Sequence, residues 1–345
     1  MPGFFQSTDV TTSRIAIYVY GSFQEYKDNA DLDLRSTGSR RETHEVPDSV
    51  GGACTQNDLA QKRPGGIPRN RQAALLKSGA MKSVRKAMTV AGSDSGAGAG
   101  IQADLKTFAA LGVYGTSAVT AITAQNTVGV TQVCELSPKL VAAQIDAIVD
   151  DIGADAVKTG MLANAAIIDI VEQKIRQHRL KNLVVDPVMV ATSGDLLIKR
   201  NAVAALRTRL IPLATVVTPN IPEAEELTGM PLRTTQDIEE GARQIAAMGA
   251  RAVVIKGGHL KGPAVDLFFD GKKMRALSAP RIRTNNTHGT GCTFSAAIAA
   301  YLARGESVEN AVSSAKKYIT AAIRAGFTVG KGHSPVHHFY RWWKN

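Results

Sequence analysis

The sequence predicts an α/β fold in which a central, mostly parallel sheet is covered by helices on both faces. From Lys86 onward, short apolar segments alternate with longer helical segments, as in successive strand–helix units. The strand segments are unbroken runs rich in Val, Ile and Ala, which is typical of parallel strands buried on both faces. Apolar residues make up 44% of the 345 residues and aromatic residues only 5%, so small aliphatic side chains must build the core.

The predicted elements follow one another along the chain from residue 87 to residue 325. Strands are short apolar runs, and helices are longer segments in which apolar residues recur every three or four positions. Strands are predicted at residues 87–91, 114–123, 154–158, 182–186, 215–218 and 252–255, followed by two β segments around 264–269 and 273–277. Helices are predicted at residues 101–111, 138–150, 163–177, 202–210, 222–227, 235–248, 292–302 and 308–325. A loop of small residues at 92–100 joins the first strand to the first helix.

The first 80 residues differ in composition from the rest of the chain. Residues 21–72 are rich in Gly, Ser, Asp, Asn, Gln, Arg and Pro without a sustained hydrophobic period, which is typical of disorder. Residues 1–80 as a whole lack the pattern of a secretory signal, and their nine acidic residues are unusual for a mitochondrial transit peptide. Met81 resembles a natural start, because a strand follows soon after it. We therefore expect residues 1–80 to be a disordered extension and residues 81–345 to form the folded domain; the alternative is a regulatory or targeting tail.

The composition argues against several classes of protein. The cysteines Cys54, Cys134 and Cys292 are far apart, so neither a disulfide framework nor a metal-ligand cluster is expected, and the chain fits a reducing, cytoplasmic compartment. No apolar run reaches the length of a membrane span. The net charge of +11 is scattered without a basic stripe interleaved with aromatic residues, which argues against nucleic acid as a partner. Such a surface instead attracts phosphorylated small molecules.

The most informative motif is His288-Gly289-Thr290-Gly291-Cys292, which directly precedes a predicted helix. Small residues turn the chain sharply, and the first backbone N–H groups of the helix then point outward at the positive end of its dipole. That arrangement binds anions, phosphate above all. Cys292 lies in the first turn, where the dipole is expected to lower the pKa of a thiol, so it is a candidate base or nucleophile. The alternative is a tight turn that binds no ligand.

A second glycine-rich segment, residues 91–100, follows the first strand. It resembles a dinucleotide-binding fingerprint, but the second strand ends near Gln125 without the acidic residue that would bind a ribose. A GxxxxGK[ST] phosphate loop is also absent from the sequence. The segment is interpreted as a loop that lets backbone approach a flat substrate, or else as a turn for tight helix packing. Gln125 offers a donor and an acceptor on one amide, which suits an aminated heteroaromatic ring; an ordinary polar loop residue is the alternative.

Further polar residues follow other strands or begin the helices beyond them. Asp186 ends a buried strand and would hold Mg²⁺ through water, or would start an Asp-Pro turn. Asn220 and Glu223 begin a helix, where they would cap it or arrange metal and phosphate. Lys256 follows an apolar strand and would neutralise ATP phosphates, or would be solvated. Asp104, one turn into the first helix, would reach a substrate hydroxyl or favour the helix N-terminus. Because strand carboxyl ends form the ligand site of open α/β sheets, the motifs together favour a functional site.

Taken in order, these residues resemble the ribokinase-like superfamily, and within it the hydroxymethylpyrimidine/phosphomethylpyrimidine kinases of thiamine biosynthesis. The resemblance runs from about Lys82 to the C-terminus and leaves residues 1–80 uncovered. It rests on the phrases AGSDSGAGAGIQADLKTFAALGVYGTSAVTAITAQNT (91–127), KTGML (158–162), DPVM (186–189), TPNIPEAEEL (218–227), KGGH (256–259), NTHGTGCTFSAAIAA (286–300) and SPVHHFYRWW (334–343). A small departure is Asp94-Ser95-Gly96, where many members have Asp-Pro-Ser. The implied fold is a three-layer α/β/α sandwich around a central, mostly parallel sheet.

The resemblance also implies roles for the matching residues. Family positions that contact the aminopyrimidine match Gln125, Gly92, Ala99, Met161 and Val188. Positions on the side of ATP and Mg²⁺ match Asp186, Asn220, Glu223 and Lys256, with a magnesium site near Asp186 and Glu223. Catalytic positions match the anion-hole backbone of Gly289, Thr290 and Gly291, then Cys292 in place of the aspartate base of most ribokinase relatives, Asp104 near the substrate, and Lys256.

The implied reaction uses ATP and Mg²⁺ to phosphorylate 4-amino-5-hydroxymethyl-2-methylpyrimidine, first to the monophosphate and then to the diphosphate. The family suggests a homodimer that acts on this small molecule, with neither nucleic acid nor membrane as a partner. One alternative is a kinase of pyridoxine, pyridoxal or pyridoxamine, against which Gln125 and Met161 favour the aminopyrimidine. Another is a catalytically silent pyrimidine-binding sensor, which the presence of Lys256, Glu223 and Cys292 disfavours. A dehydrogenase is disfavoured by the missing acidic ribose partner.

Overall fold

The computed structural model describes residues 83–189, 200–257 and 264–343, and its described strands form one sheet. The strands are β1 (Lys86–Asp94), β2 (Tyr114–Gln125), β3 (Val130–Glu135), β4 (Ala156–Thr159), β5 (Leu183–Val185), β6 (Val216–Val217), β7 (Val253–Ile255), β8 (Ala264–Phe269) and β9 (Met274–Ala279). They lie side by side in the order β3-β2-β1-β4-β5-β6-β7-β8-β9. Neighbouring strands from β2 to β7 are parallel, whereas β3 at one edge and β8 and β9 at the other are antiparallel to their neighbours.

Helices connect these strands and continue beyond the last of them. They are α1 (Gly100–Ala110), α2 (Pro138–Asp151), α3 (Ala165–Gln177), α4 (Arg200–Ala205), α5 (Ile221–Thr228), α6 (Thr235–Ala247), α7 (Thr290–Ala303) and α8 (Val308–Arg324). The predicted helix at 202–210 is α4 continued by a π-helical turn, Leu206–Leu210. In the part of the chain that the structure describes, no helix has both the length and the apolar character that crossing a membrane requires.

Two hydrophobic cores lie on opposite faces of the sheet. Because side chains alternate along a strand, Leu183 and Val185 of β5 point into one core and Val184 points into the other. The first core contains apolar residues of α2 to α6, and the second contains those of α1, α7 and α8. The predicted α/β/α sandwich with a mostly parallel central sheet is therefore confirmed.

Helix α7 is buried on all sides because its residues are small. From Thr293 to Ala303 every residue of this helix is buried, and five of them are alanines. It packs against β1, β4 and β5 as well as against α1 and α8. Small side chains allow that close approach, which places the first turn of α7 beside the glycine-rich loop after β1. At Gly289, the residue before α7, a Cβ would overlap the carbonyl oxygen of Gly98.

The structure differs from the prediction chiefly at the edge and the end of the sheet. Strand β3 was not predicted, because its residues are largely exposed and its apolar pattern is correspondingly weak. The prediction of a loop at 92–100 is wrong for its first three residues, since β1 extends to Asp94. Beyond a register shift between Ala91 and Ser93, β1 pairs again with β2. The predicted extension at 1–80 and the end of the KGGH phrase lie outside the described residues.

Candidate active site

The carboxyl ends of the parallel strands bring the predicted site residues to one edge of the sheet. β1 ends at Asp94, β2 ends at Gln125, and Asp186 directly follows β5. Asn220 and Lys256, beyond β6 and β7, pair with each other as an isolated parallel β-bridge. Residues that are distant in the sequence are therefore neighbours here, as expected at the ligand edge of an open α/β sheet.

A pocket at this edge is lined by all the residues that were predicted to contact the ring. They are Gly92, Ala99, Gln125, Met161 and Val188, and the pocket wall also includes Cys292. Met161 lies over Gly92, because a Cβ at residue 92 would be 2.5 Å from the Met161 Cε. Glycine at this position lets the methionine approach the backbone of β1, which gives the pocket a flat wall.

The backbone of Gln125 is fixed by its neighbour across the sheet. The Ser95 hydroxyl accepts a hydrogen bond from the Gln125 N–H at 2.7 Å and lies 2.6 Å from the Gln125 carbonyl oxygen. The side-chain amide lies 3.2 Å from Thr123 Oγ1 and 3.4 Å from His288 Nε2. Gln125 thus presents its amide at a defined place in the pocket, where it offers a donor and an acceptor to a ring.

Asp94 organises the glycine-rich loop and was missed by the sequence analysis. Its carboxylate accepts hydrogen bonds from the backbone N–H groups of Gly96, Gly98 and Ala99 at 2.8, 3.0 and 2.8 Å. His288 Nε2 donates to the same carboxylate at 2.9 Å. Burial acts to raise the pKa of Asp94, but the hydrogen bonds from His288 and the loop outweigh it and lower that pKa. An aspartate followed by closely spaced glycines signals such a turn in a sequence.

His288 joins this loop to the predicted anion-binding loop. Its ring packs on Gly98, where a Cβ would overlap the imidazole, and its backbone begins the His288–Cys292 segment. Gly289 is in the left-handed region with φ 72°, at the N-cap of α7. The N–H groups of Gly291 and Cys292 lie in the first turn of the helix, where no intrahelical acceptor is available. The segment therefore forms a helix N-terminus, which is the backbone geometry that the predicted anion site requires.

The expectation that the helix dipole lowers the pKa of Cys292 is wrong. Burial raises the pKa of the thiol to about 11, although the Lys158 charge and a hydrogen bond from the Gly100 N–H act to lower it. The negative charges of Asp104 and Asp186 add to the effect of burial. Desolvation of the thiolate outweighs the dipole here, because the first turn of α7 is packed beneath the loop after β1.

Lys256 lies among the carboxylates on the other side of the anion-binding loop. Its Nζ is 3.0 Å from Asp186 Oδ1 and 3.8 Å from Glu223 Oε2. Asp186 also accepts hydrogen bonds from Thr218 and Ser295, both at 3.1 Å. A Cβ at Gly291 would be 3.2 Å from the Lys256 Nζ, so the lysine directly adjoins the anion-binding backbone.

Glu223 combines a structural role with an unusual protonation equilibrium. Glu223 and Asn220 form a capping box at the start of α5, in which each side chain accepts the backbone N–H of the other residue. Burial and the charge of Asp186 raise the pKa of Glu223 to about 7, even though Lys256 acts to lower it. Asp186 has the opposite shift: burial raises its pKa, but Lys256 and Lys158 lower it more.

Asp104, predicted to reach a substrate hydroxyl or to favour the helix N-terminus, is not among the residues that line the pocket. Its side chain is fully buried and accepts hydrogen bonds from Lys158 at 2.8 Å and from Thr89 at 2.6 Å. Lys158, the last residue of the strand predicted at 154–158 and the first of the KTGML phrase, lines the pocket instead, although no role was predicted for it. Its partner is 54 residues away in the sequence, so no local pattern could have revealed the pair.

Comparison with known sequences agrees with this geometry. The family model described as phosphomethylpyrimidine kinase matches residues 94–337. A hydroxymethylpyrimidine/phosphomethylpyrimidine kinase of Rhizobium meliloti is 56% identical over 265 residues, which cover 75% of this chain and 98% of that relative. The thiamine biosynthesis bifunctional protein ThiED of Geobacter sulfurreducens is 54% identical over 252 residues, and this chain spans about half of its length, 51%.

Solved structures give the same result for the fold. A pyridoxal kinase of Bacillus subtilis in complex with ADP superposes with a TM-score of 0.71 at 46% identity, covering 75% of this chain and 100% of that structure. A phosphomethylpyrimidine kinase of Clostridium difficile gives 0.63 at 45% identity, covering 70% and 100%. These neighbours confirm the ribokinase-like sandwich. With the family model matching from the end of β1 to the C-terminal segment, the chain belongs to the phosphomethylpyrimidine kinase family.

Proposed function

We propose that this protein phosphorylates 4-amino-5-hydroxymethyl-2-methylpyrimidine with ATP, and then its monophosphate to the diphosphate, in thiamine biosynthesis. The observation that carries the proposal is one pocket in which Gln125 and Met161 adjoin Cys292. Gly291, the residue before Cys292 in the first turn of α7, lies beside Lys256. A ring site and a phosphate site thus share one wall. Relatives that are 47–56% identical and bear the corresponding kinase name support the same activity.

In the first transfer, the hydroxymethyl oxygen attacks the γ-phosphorus of ATP. The bond from that phosphorus to the β–γ bridging oxygen breaks, and ADP leaves. The hydroxyl proton passes to Cys292, or Cys292 orients the hydroxyl while the proton passes to solvent. The backbone N–H groups of the α7 first turn and Lys256 stabilise the negative charge that develops on the transferring phosphoryl group.

The second transfer has a different nucleophile. A phosphate oxygen of the monophosphate attacks the γ-phosphorus of a second ATP, and ADP leaves as before. At neutral pH this oxygen is already ionised, so the step needs no strong base. The anion-binding backbone and Lys256 have the same task in both steps, whereas the need for Cys292 as a proton acceptor is confined to the first.

Asp186 and Glu223 are the carboxylates that would hold Mg²⁺. They fit this role because both carboxylates are buried beside Lys256, and burial together with the charge of Asp186 raises the pKa of Glu223 to about 7, which a bound cation would lower. The described residues contain no cluster of three His, Cys, Asp or Glu placed to hold a metal, so waters and nucleotide phosphates would complete the shell. When bound, the ion would offset the charge of the phosphates.

The test is ADP release by the purified full-length chain with ATP, Mg²⁺ and either the aminopyrimidine or its monophosphate. We expect ADP with both acceptors, and mass spectrometry should identify the monophosphate and the diphosphate as products. If thermal unfolding shows that the chain is folded, and ADP forms neither with the aminopyrimidine nor with its monophosphate, the proposal is contradicted and the silent sensor is favoured. Gel filtration with light scattering tests the homodimer that we also expect.

Vitamin B6 kinase activity is the second candidate function, because several structural neighbours at 38–46% identity are named pyridoxal kinases. We expect the aminopyrimidine to have the higher kcat/KM, since the amide of Gln125 suits adjacent ring-nitrogen and amino groups. Steady-state kinetics with pyridoxine, pyridoxal and pyridoxamine beside the aminopyrimidine decide between them. A higher kcat/KM for any of the three B6 vitamers would reverse the assignment.

A further inference from the structure

The proposed mechanism assigns no role to one fully buried lysine of the site, Lys158. Its side chain has no exposed surface, and neither has that of its partner Asp104. The hydroxyl of Thr89 donates to the same Asp104 oxygen that accepts from Lys158, whereas Asp104 Oδ1 has no hydrogen-bond partner among the described residues. Burial of two charges loses several kcal/mol of hydration per ion, so such a pair is a poor means of stabilising a fold. Its position is better explained by what its charge does at the pocket.

The ammonium of Lys158 lies at the wall that holds Cys292. Both residues line the same pocket, between the loop after β1 and the first turn of α7. The backbone makes room for the lysine, since a Cβ at Gly160 would be 2.8 Å from its Nζ. Lys256, the lysine on the nucleotide side, lies beside two carboxylates. Lys158 is hydrogen-bonded to one carboxylate, that of Asp104, and it lines the pocket together with Gln125 and Cys292.

Four groups from three parts of the fold influence the charge on Cys292. Lys158 at the end of β4 and the Gly100 N–H of α1 favour the thiolate, whereas Asp104 of α1 and Asp186 after β5 oppose it. Among the groups that favour the thiolate, Lys158 has the largest effect, second only to burial itself. Burial acts to lower the pKa of Lys158, but Asp104, Cys292 and Asp186 raise it above the usual value, so the ammonium keeps its charge.

We propose that Lys158, held in place by Asp104, is a positioning residue for phosphoryl transfer: its ammonium stabilises negative charge on the Cys292 sulfur and keeps that sulfur able to accept the proton of the substrate hydroxyl. The inference rests on the proposed function, because it assigns a partner to the proton acceptor of the first transfer. It also gives Asp104 a role through Lys158, in place of the substrate contact that the sequence predicted.

The test measures the reactivity of the Cys292 thiol directly. Replacement of Cys54 and Cys134 by serine leaves Cys292 as the one cysteine, because the chain has three. In this background we compare the rate of alkylation by iodoacetamide from pH 7 to pH 10 with and without Lys158→Met. We expect the alkylation profile to move to higher pH, with a rate at pH 8 that is lower by about tenfold or more, since tenfold corresponds to one pKa unit.

Two further variants separate charge from folding. Lys158→Met alone leaves the Asp104 carboxylate buried without a counter-ion and is expected to unfold more easily, so Asp104→Asn/Lys158→Met removes both charges together. Lys316→Met is the matched control, because Lys316 of α8 forms a similarly short contact, 2.7 Å, with Asp266 of β8, and neither residue lines the pocket. Because Asp104 opposes the thiolate and Lys158 favours it with the larger effect, the double variant should alkylate faster than Lys158→Met but more slowly than the parent chain. The control should alkylate like the parent chain.

The kinetic result must match the chemical one. In the double variant we expect kcat of the first transfer to fall in proportion to the alkylation rate, with a smaller effect on the second transfer and on KM for the aminopyrimidine. A double variant that unfolds at the parent temperature and alkylates at the parent rate would overturn the inference. If the parent chain does not phosphorylate the aminopyrimidine, the proposed function fails, whereas the alkylation experiment still tests the link between Lys158 and Cys292.

Discussion

Cys292 combines two opposing influences within a single residue. The first turn of a helix favours a thiolate, whereas burial beneath the loop after β1 disfavours it, and burial is the larger effect. The resulting pKa of about 11 means that the thiol is protonated over the neutral range. A thiolate of high pKa is scarce but strongly basic, which suits removal of a proton from a weakly acidic hydroxyl.

This protonation equilibrium predicts a difference in pH dependence between the two transfers. Because the thiol has a raised pKa, its thiolate fraction increases as pH rises toward that value, by about tenfold per pH unit. We expect kcat/KM of the first transfer to rise between pH 7 and pH 9, and that of the second transfer to stay nearly level. Rapid-quench assays of each step over this range provide the measurement. A first transfer as level as the second would rule out Cys292 as the base.

Replacement of the thiol tests the same division between the steps. We expect Cys292→Ala to impair the first transfer more than the second, because only the first has a proton to remove from a hydroxyl. A loss of about 100-fold in the first step would match the usual contribution of a general base. Cys134→Ala is the control, since Cys134 is exposed on β3. Equal losses in both steps would indicate that Cys292 contributes only to the shape of the anion-binding turn.

Two glycines with positive φ, Gly289 and Gly112, show what a Cβ would do where a second element packs closely and where none does. Gly289 and Gly112 have the same φ of 72°, but a Cβ at Gly289 would overlap the Gly98 carbonyl, whereas at Gly112 it would meet no atom within 4 Å. The two positions therefore share the backbone strain and differ in the steric clash. The contact between Gly289 and Gly98 holds the first turn of α7 against the loop after β1, and these two parts form the site together.

We expect Gly289→Ala to lower kcat by about 100-fold, the loss that follows when donors are displaced from a developing charge. Gly112→Ala should destabilise the fold by about 1 kcal/mol through the left-handed conformation alone and leave kcat unchanged. Thermal unfolding and steady-state kinetics of the two variants give the comparison. Equal effects of the two substitutions on kcat would show that the contact with Gly98 does not position the anion-binding backbone.

The structure explains why some elements of the site are predictable and others are not. Asp186 and Lys256 follow buried strands, so the rule for parallel strand ends places them at one edge without knowledge of the tertiary contacts. Lys158 also follows that rule, but its function depends on Asp104, whose position on α1 resembles an ordinary helix-favouring carboxylate. The pKa of Cys292 could not be predicted either, because burial by the loop after β1 is a tertiary effect.

At the scale of the whole molecule, the sheet divides the proposed chemistry between its two halves. The ring pocket is built mainly from β1, β2 and β4 and the residues that follow them, with Val188 after β5, and the phosphate side from the residues after β5, β6 and β7. Helix α7 connects the halves, because its first turn contacts the ring pocket through Cys292 and Lys256 through Gly291. A displacement of α7, or of the C-terminal segment that packs on it, would therefore change the geometry of both halves of the site. His338 makes such a contact, since its Nε2 is 3.0 Å from the Thr293 Oγ1 in α7.

The whole-molecule architecture also predicts that residues 1–80 are dispensable for the kinase reaction. The first described strand begins at Lys86, every element that forms the pocket lies beyond it, and the family model matches from residue 94. A chain that begins at Met81 should keep kcat/KM for the aminopyrimidine within about twofold, because every residue that lines the pocket lies at Ala91 or beyond. Its unfolding temperature should change by no more than about 2 °C, less than a loss of 1 kcal/mol would produce. The full-length chain, purified and assayed in parallel, is the control. A chain that begins at Val90 should not fold, because it lacks residues 86–89, the first half of β1. A large loss of activity in the Met81 chain would instead assign the segment a role at the site, and the tail would have to be regarded as part of the enzyme.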